Sequence, residues 1–156
     1  MNNSITTTKS SGFSLIELLV VVAILGVVAA IGTVSYSGYV SSTERNSAEN
    51  LMRQVALGQT EFYSENGIYF SNINCGATTP TVAHSKEIET RLLGDSKSII
   101  DSNKNKANAG YLICVKDDNN LKYIVYAIEK EEDKSQAGDC KLSLDGNGSL
   151  TRDPKC

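Results

Sequence analysis

The chain has 156 residues, a formal charge of -3 and a pI near 5.2. That length accommodates one domain with appendages, and the acidic balance argues against broad nucleic-acid binding, leaving room only for a local basic patch. Apolar residues are dense before residue 35 and patterned after it, so the ~120 residues that follow bury one modest core and not two.

The chain opens with a polar dozen, MNNSITTTKSSG, in which Lys9 is the only charge. Leu18 to Val34 then read LLVVVAILGVVAAIGTV without a charge. With Phe13, Leu15 and Ile16 this run approaches the ~20 residues that carry a helix across a bilayer core. A single lysine ahead of it favours a cytoplasmic N-terminus with the bulk of the chain outside. A secretory signal peptide needs a short apolar core and a small-residue cleavage site. VAAIG offers such a site, but the run is longer than that class of core and the basic end is poor. A plain anchor fits the length and leaves Glu17 unexplained, because a carboxylate within a spanning helix costs about 2.5–3.5 kcal/mol.

The segment G-FSLIELLVVVAILGVVAAIG resembles the N-terminal signature of type IV pilins and the related pseudopilins of type II secretion. In that family a short polar leader ends in Gly, a Phe follows, and a Glu stands four residues further on. Gly12, Phe13 and Glu17 occupy those places, and Leu15, Ile16, Leu18 and Leu19 extend the match. The resemblance implies cleavage by a prepilin peptidase between Gly12 and Phe13, N-methylation of Phe13, and retention of the apolar segment as the core of a filament. Residues 1–12 are then a leader, outside the fold, and their loss removes Lys9, making the chain one unit more negative. Glu17 in a poorly hydrated bundle requires a partner. The Phe13 amine of an adjacent subunit supplies one, and the pairing rewards a single axial register. Many members carry a proline at the place held here by Val34. This departure removes the usual cause of a kink, while Gly26 and Gly32 lower helix propensity by about 1 kcal/mol each.

Beyond the 13–34 segment the pattern predicts an amphipathic helical half over 35–65. Ala48, Leu51, Met52, Val55, Ala56, Phe62 and Tyr63 fall on one face, with Gln59 at an intermediate place. Arg45, Glu49, Arg53 and Glu61 form the polar complement. Asn66-Gly67 ends the helix, so a continuous helix of about 50 residues is expected, apolar all round in its first half. The passage from Tyr63 through Gly67 to Tyr69-Phe70 also resembles pilins. Residues 66–109 read as a connecting loop with a short helix over 84–94. Residues 110–156 hold strands at 110–117 and 121–130, then a hairpin turning at Asp145-Gly146-Asn147-Gly148. Short turns make the strands antiparallel, and one face of the sheet is expected to cover the amphipathic helix half. The fold class is α+β, and the resemblance makes it the type IV pilin fold.

Cys75, Cys114, Cys140 and Cys156 all lie after the apolar run. An even count beyond a membrane signal reads as two disulfides in an oxidising compartment. No two cysteines are close, and His84 is the only histidine, so free thiols or zinc fit less well. Four cysteines allow three connectivities. The disulfide-bounded C-terminal loop common in type IV pilins favours Cys140–Cys156, which leaves Cys75–Cys114 to pin the long loop to the first strand.

Chemistry is sparse. His84 has no nucleophile-and-carboxylate pattern about it, and phosphate or dinucleotide fingerprints are missing from the sequence. Asp101-Ser-Asn103-Lys-Asn105 begins like a calcium loop, but Lys106 stands where glycine is needed and Leu112 where Glu is needed. Asp145 to Ser149 fails similarly, with Leu150 at the glycine place. Asn147-Gly-Ser149 is a formal glycosylation sequon that also suits a turn. The expectation is therefore a structural subunit, not an enzyme, with no cofactor and no metal. The resemblance implies a single-pass inner-membrane precursor with a periplasmic C-terminal domain, later part of an extracellular pilus serving adhesion, motility or DNA uptake. Its implied partners are the peptidase, identical or related subunits and the assembly machinery. A pseudopilin is the rival within the family. A minor pilin that binds DNA through Lys97, Lys104, Lys106, Lys116 and Lys122 is the rival of another class.

Overall fold

The computed structural model describes residues 12–95, 99–101, 106–107, 110–119, 122–130 and 137–156. The elements in chain order are α1 (Leu15–Asn66), α2 (Val82–Leu92), β1 (Ile100–Asp101), β2 (Lys106–Ala107), β3 (Tyr111–Asp118), β4 (Lys122–Lys130), β5 (Ala137–Asp145) and β6 (Leu150–Arg152). Contacts divide the chain into two compact units, Met1–Val40 and Ser41–Cys156. The class is α+β, with an N-terminal apolar helical segment and a small antiparallel sheet.

In the first unit, Leu15–Gly32 has a mean hydropathy of 2.8, and none of it is buried among the described residues. Length and composition suffice to cross a membrane. The backbone is helical through Val34, the place where a proline stands in many pilins.

In the second unit, α1 carries its core stripe as Ala48, Leu51, Met52 and Val55, all buried, with Gln59 completing it at full burial. Ala56 and Phe62 are half-buried against that core. Two positions depart from the periodicity. Tyr63 is 46% exposed, because its ring stacks on Tyr69 at 4.5 Å and not on the sheet. Glu49, expected on the polar face, is buried because Arg152 reaches it. The helix ends as glycine dictates. Gly67 has φ +72 and its N–H donates to the Tyr63 carbonyl at 2.8 Å, closing the last turn in a left-handed conformation.

Helix α2 starts two residues before its expected place. Thr81 is the N-cap, and its Oγ1 accepts from His84 N at 3.1 Å, satisfying one of the first-turn donors. His84, expected at the start of this helix, therefore lies within its first turn. The segment 66–109, read as loop around one helix, also contains the two-residue ladder of β1 and β2, with Ile100 opposite Ala107. The fully buried Ile99 and Ile100 hold this ladder in place. Their N–H groups donate to Glu89 Oε1 at 2.6 and 2.9 Å, so a buried carboxylate on α2 serves as the backbone partner. Burial and one distant acceptor make these strands, which is why local pattern missed them.

The main sheet has the order β3-β4-β5-β6, every pair antiparallel. Val125 lies opposite Val115 on one side and Leu144 on the other; Ala127 lies between Ile113 and Leu142. These residues are buried on one face. The same face bears Tyr123, whose hydroxyl lies 3.5 Å from the Ala56 carbonyl of α1. Strand β3 is an edge, and an open edge invites pairing with another chain. Here side chains occupy it. Ser85 Oγ accepts from Ile113 N at 3.0 Å and donates to Ile113 O at 3.1 Å. Asn72 N donates to Val115 O at 2.8 Å, and Asn72 Oδ1 accepts from Val115 N at 2.9 Å. Gln59 treats Phe70 the same way from α1, donating to its carbonyl at 2.7 Å and accepting from its N–H at 2.9 Å.

The C-terminal end of α2 meets α1 at Gly58. A Cβ there would meet the Leu92 carbonyl oxygen at 2.5 Å and the Leu92 Cβ at 3.1 Å. Backbone cannot yield as a flexible side-chain end does, so the overpacking cost of about 1–3 kcal/mol outweighs the ~1 kcal/mol that alanine adds to helix propensity. Gly58→Ala is expected to lower the urea midpoint of the detergent-solubilised chain. A midpoint equal to or above wild type would show that α2 shifts freely and that Gly58 is not required for this close approach.

Candidate functional site

The start of α1 is where the sequence concentrates its chemistry. Gly12 has open space where a Cβ would stand, and Phe13 is 83% exposed. Ser14 N donates to Glu17 Oε2 at 2.9 Å, and Leu18 N donates to Ser14 O at 3.3 Å. Ser14 thus occupies the N-cap and Glu17 the third helical position, and the carboxylate folds back on the N-cap amide as in a capping box. One donor that the helix leaves orphaned is satisfied, and the negative charge sits at the positive end of the macrodipole. The N–H that Glu17 accepts belongs to the Phe13–Ser14 peptide, one bond beyond the Gly12–Phe13 linkage. Oε1 faces no donor among the described residues. Sequence reasoning credited Glu17 with a partner in a neighbouring subunit; the S-x-x-E spacing within the chain is the signal it left unused.

The second cluster surrounds the C-terminal disulfide. Cys140 and Cys156 are bonded with their Cα atoms 4.6 Å apart, and Cys75 and Cys114 with theirs 5.8 Å apart. The first pair closes a ring over the β5–β6 hairpin. Its separation of 16 corresponds to roughly 3 kcal/mol in the chain-entropy account. The second pair joins the loop before α2 to β3, beside the edge that Asn72 occupies. The end of the hairpin is also tied to α1. Arg152 Nε lies 2.7 Å from Glu49 Oε1, and its Nη2 donates to Oε2 at 3.0 Å, a two-point contact suited to a planar guanidinium. That hydrogen bond and the Glu49 charge raise the Arg152 pKa further above its ordinary value. Arg45 Nη1 donates to the Cys156 carbonyl. Tyr111 O–H lies 3.0 Å from Cys140 Sγ. Burial foremost, then the charge of Glu129, pushes the Tyr111 phenol from 10 up to about 12; Arg45 opposes the shift, while Glu44 and Glu49 add to it.

The remaining candidates do not converge. The backbone of His84 is engaged in the α2 cap, and no group of three or more metal-ligating side chains occurs among the described residues. Asp145 Oδ1 accepts from Asn147 N at 2.9 Å and Ser149 N at 2.8 Å. The turn therefore uses its carboxylate on its own backbone, with Gly148 at φ +89. Ser102 to Asn105, most of the calcium-like stretch, lie outside the described residues, as do Lys97 and Lys104. Lys116 and Lys122 are exposed, but Asp117 follows the first and Asp118 lies opposite the second. These acids dilute the basic charge.

A family model, the prokaryotic N-terminal methylation motif, matches residues 7–33. No curated protein and no solved structure matches the chain. The matched segment contains Gly12, Phe13, Glu17 and the whole uncovered apolar run. The chain thus carries the hallmark of type IV pilin and pseudopilin prepilin-like proteins. Its α+β arrangement is consistent with the type IV pilin fold. The motif implies processing by prepilin peptidase and handling by pilin assembly machinery, and the apolar helix fits a membrane-anchored precursor.

The Tyr111 shift has a measurable consequence. An unfolded tyrosine releases its proton near pH 10 and the folded Tyr111 near 12. Between those values the native state holds more protons, so stability falls as pH rises and is unaffected by this group well below pH 10. Tyr123 is raised in the same direction, by burial and then by Tyr69 and Asp145, so it contributes part of the slope. Tyr111→Phe is expected to flatten the loss of stability between pH 10 and 12, read by urea unfolding at each pH. An unchanged slope would mean that Tyr111 ionises in the native state as easily as in the unfolded one.

Proposed function

We propose that this protein is a structural subunit of a type IV pilus. A prepilin peptidase cuts it after Gly12, Phe13 is N-methylated, and the subunit polymerises through the first half of α1. The observation that carries the reading is the combination, under the methylation motif, of an apolar helix that none of the described residues buries and a capped carboxylate at its start. Such a helix is stable in only two settings, a bilayer or a bundle of like helices, because water solvates neither its leucines nor its valines well. Passage from the first setting to the second is what a prepilin undergoes.

Glu17 has a part in both settings. In the membrane its Oε2 accepts the Ser14 amide, so the carboxylate sits at the end of the helix and not unpartnered within it. In the filament its Oε1 meets the Phe13 amine of the adjacent subunit, and only one axial offset brings the two together. A pilus is favoured over a secretion pseudopilus by the two disulfides, and above all by the ring over the terminal hairpin. Pilus subunits carry such a loop on the filament surface and pseudopilin heads often lack it.

Two experiments test the reading. Intact-mass analysis is expected to find the mature chain beginning at N-methylated Phe13; an N-terminus near residue 33 would mean an ordinary signal peptide and would end the proposal. Glu17→Gln keeps an acceptor for Ser14 N and loses the charge, whereas Glu17→Ala loses both. Each variant is expected to leave a cleaved pool in the membrane and to deplete sheared filaments to a small fraction of wild type. Wild-type filament yield from Glu17→Gln would show that the hydrogen bond, and not the charge, is what assembly requires.

A further inference from the structure

The helix that enters the membrane leaves its own depth undetermined by charge. From Leu18 to Thr43 no residue of α1 carries a charge. At ~1.5 Å per residue that is about 39 Å of helix, against a hydrocarbon core of about 30 Å. A span free of charges and longer than the core slides by several ångströms at little cost, because each position buries comparable surface. Sliding would carry Phe13 and Glu17 toward or away from the cytoplasmic face.

Two residues break this degeneracy. Tyr36 and Tyr39 are 70% and 71% exposed. They stand three positions apart on α1, so they share one face of it. From Leu15 to Tyr36 the helix rises about 32 Å, and a ~20° tilt reduces this to about 30 Å along the bilayer normal. The tyrosines therefore fall at the far boundary of the core when Leu15 stands at the near one. A phenol ring has an apolar body and a polar tip, and tyrosine concentrates at that boundary for this reason. Serines at 35, 37, 41 and 42 surround the pair in the sequence. The next aromatic residue toward the N-terminus is Phe13, at the other end of the span.

We propose that Tyr36 and Tyr39 form a one-sided anchor in the glycerol and headgroup layer of the outer leaflet of the inner membrane, and that this anchor sets the insertion depth of the precursor. Its partner is the lipid–water interface. The inference rests on the membrane stage of the function proposed above and adds a device that holds the Gly12–Phe13 bond at a constant height over the opposite face. Sharing one helix face, the tyrosines also fix the rotation of the helix about its axis, because both rings reach the interface only when that face tilts toward it.

The chain contains no tryptophan, so a single introduced indole reports its own depth. The full chain would be reconstituted in phosphatidylcholine vesicles brominated at shallow or at deep acyl carbons. Ile24→Trp, at the middle of the span, is expected to emit in the blue and to be quenched more by the deep label. Tyr39→Trp is expected to show an intermediate emission and stronger quenching by the shallow label. Adding Tyr36→Ser and Tyr39→Ser to Ile24→Trp is expected to shift the deep-to-shallow quenching ratio at residue 24. Tyr39→Trp with water-like emission and no quenching, while residue 24 is quenched, would overturn the anchor and leave the membrane reading standing. A blue but unquenched Tyr39→Trp would overturn it too, since that ring would be covered by protein. A ratio at residue 24 unmoved by the double serine change would show that the tyrosines do not set the depth. Absence of quenching at residue 24 itself would sink the membrane stage and the anchor together.

Discussion

An apolar helical segment that none of the described residues buries governs the rest of the molecule. Leu15, Ile16, Leu18, Leu19, Ile24, Leu25 and Ile31 are all more than half exposed, and the valines between them are at least half exposed. Burying an aliphatic side chain is worth about 1.5–3 kcal/mol, so a dozen of them left in water forgo on the order of 20 kcal/mol. That exceeds the roughly 5–15 kcal/mol by which a folded domain is stable. The segment is thus a demand for another medium, and the polar features at its two ends limit how that demand is met. Glu17 at one end accepts the backbone amide of the N-cap. At the other, the run passes through serines and tyrosines before the first charges at Glu44 and Arg45.

The second half of α1 meets the opposite condition. Its stripe is covered by the sheet, and four buried polar residues extend the coverage beyond what apolar packing reaches. Gln59, Asn72, Ser85 and Glu89 each present a side chain to backbone groups at Phe70, Val115, Ile113 and Ile99–Ile100. A buried peptide group without a partner costs about 1–3 kcal/mol, so these contacts make up for missing strand neighbours. Asn72 and Ser85 also close the β3 edge, and the Cys75–Cys114 bond holds the blocking loop in place. A sheet edge occupied in this way is no longer open to pairing with another chain.

The terminal hairpin is fastened three times: by Cys140–Cys156, by Arg152 on Glu49, and by Arg45 on the Cys156 carbonyl. Tyr111 lies against Cys140 beneath it. The β6 strand is only Leu150–Arg152, too short to hold itself to the sheet by ladder bonds. The covalent ring and the two arginines supply what those three residues lack.

Much of this was legible in the amino-acid order. The long helix and its glycine stop, the short helix near residue 84, the two central strands and the hairpin at Asp145 follow from periodicity and turn chemistry, because those signals act over a few neighbouring residues. The apolar run and the Gly12-Phe13 to Glu17 spacing marked the N-terminal motif for the same reason. Tertiary structure alone decided the rest. Glu49 turned inward only because Arg152, over a hundred residues away, reaches it. Tyr63 left the core face because Tyr69 offered it a ring. The two-residue strands exist because Glu89 accepts their amides. Each depends on groups brought together by the chain's return upon itself, and the energies involved are pairwise and long-range in sequence. Local pattern carries no record of them.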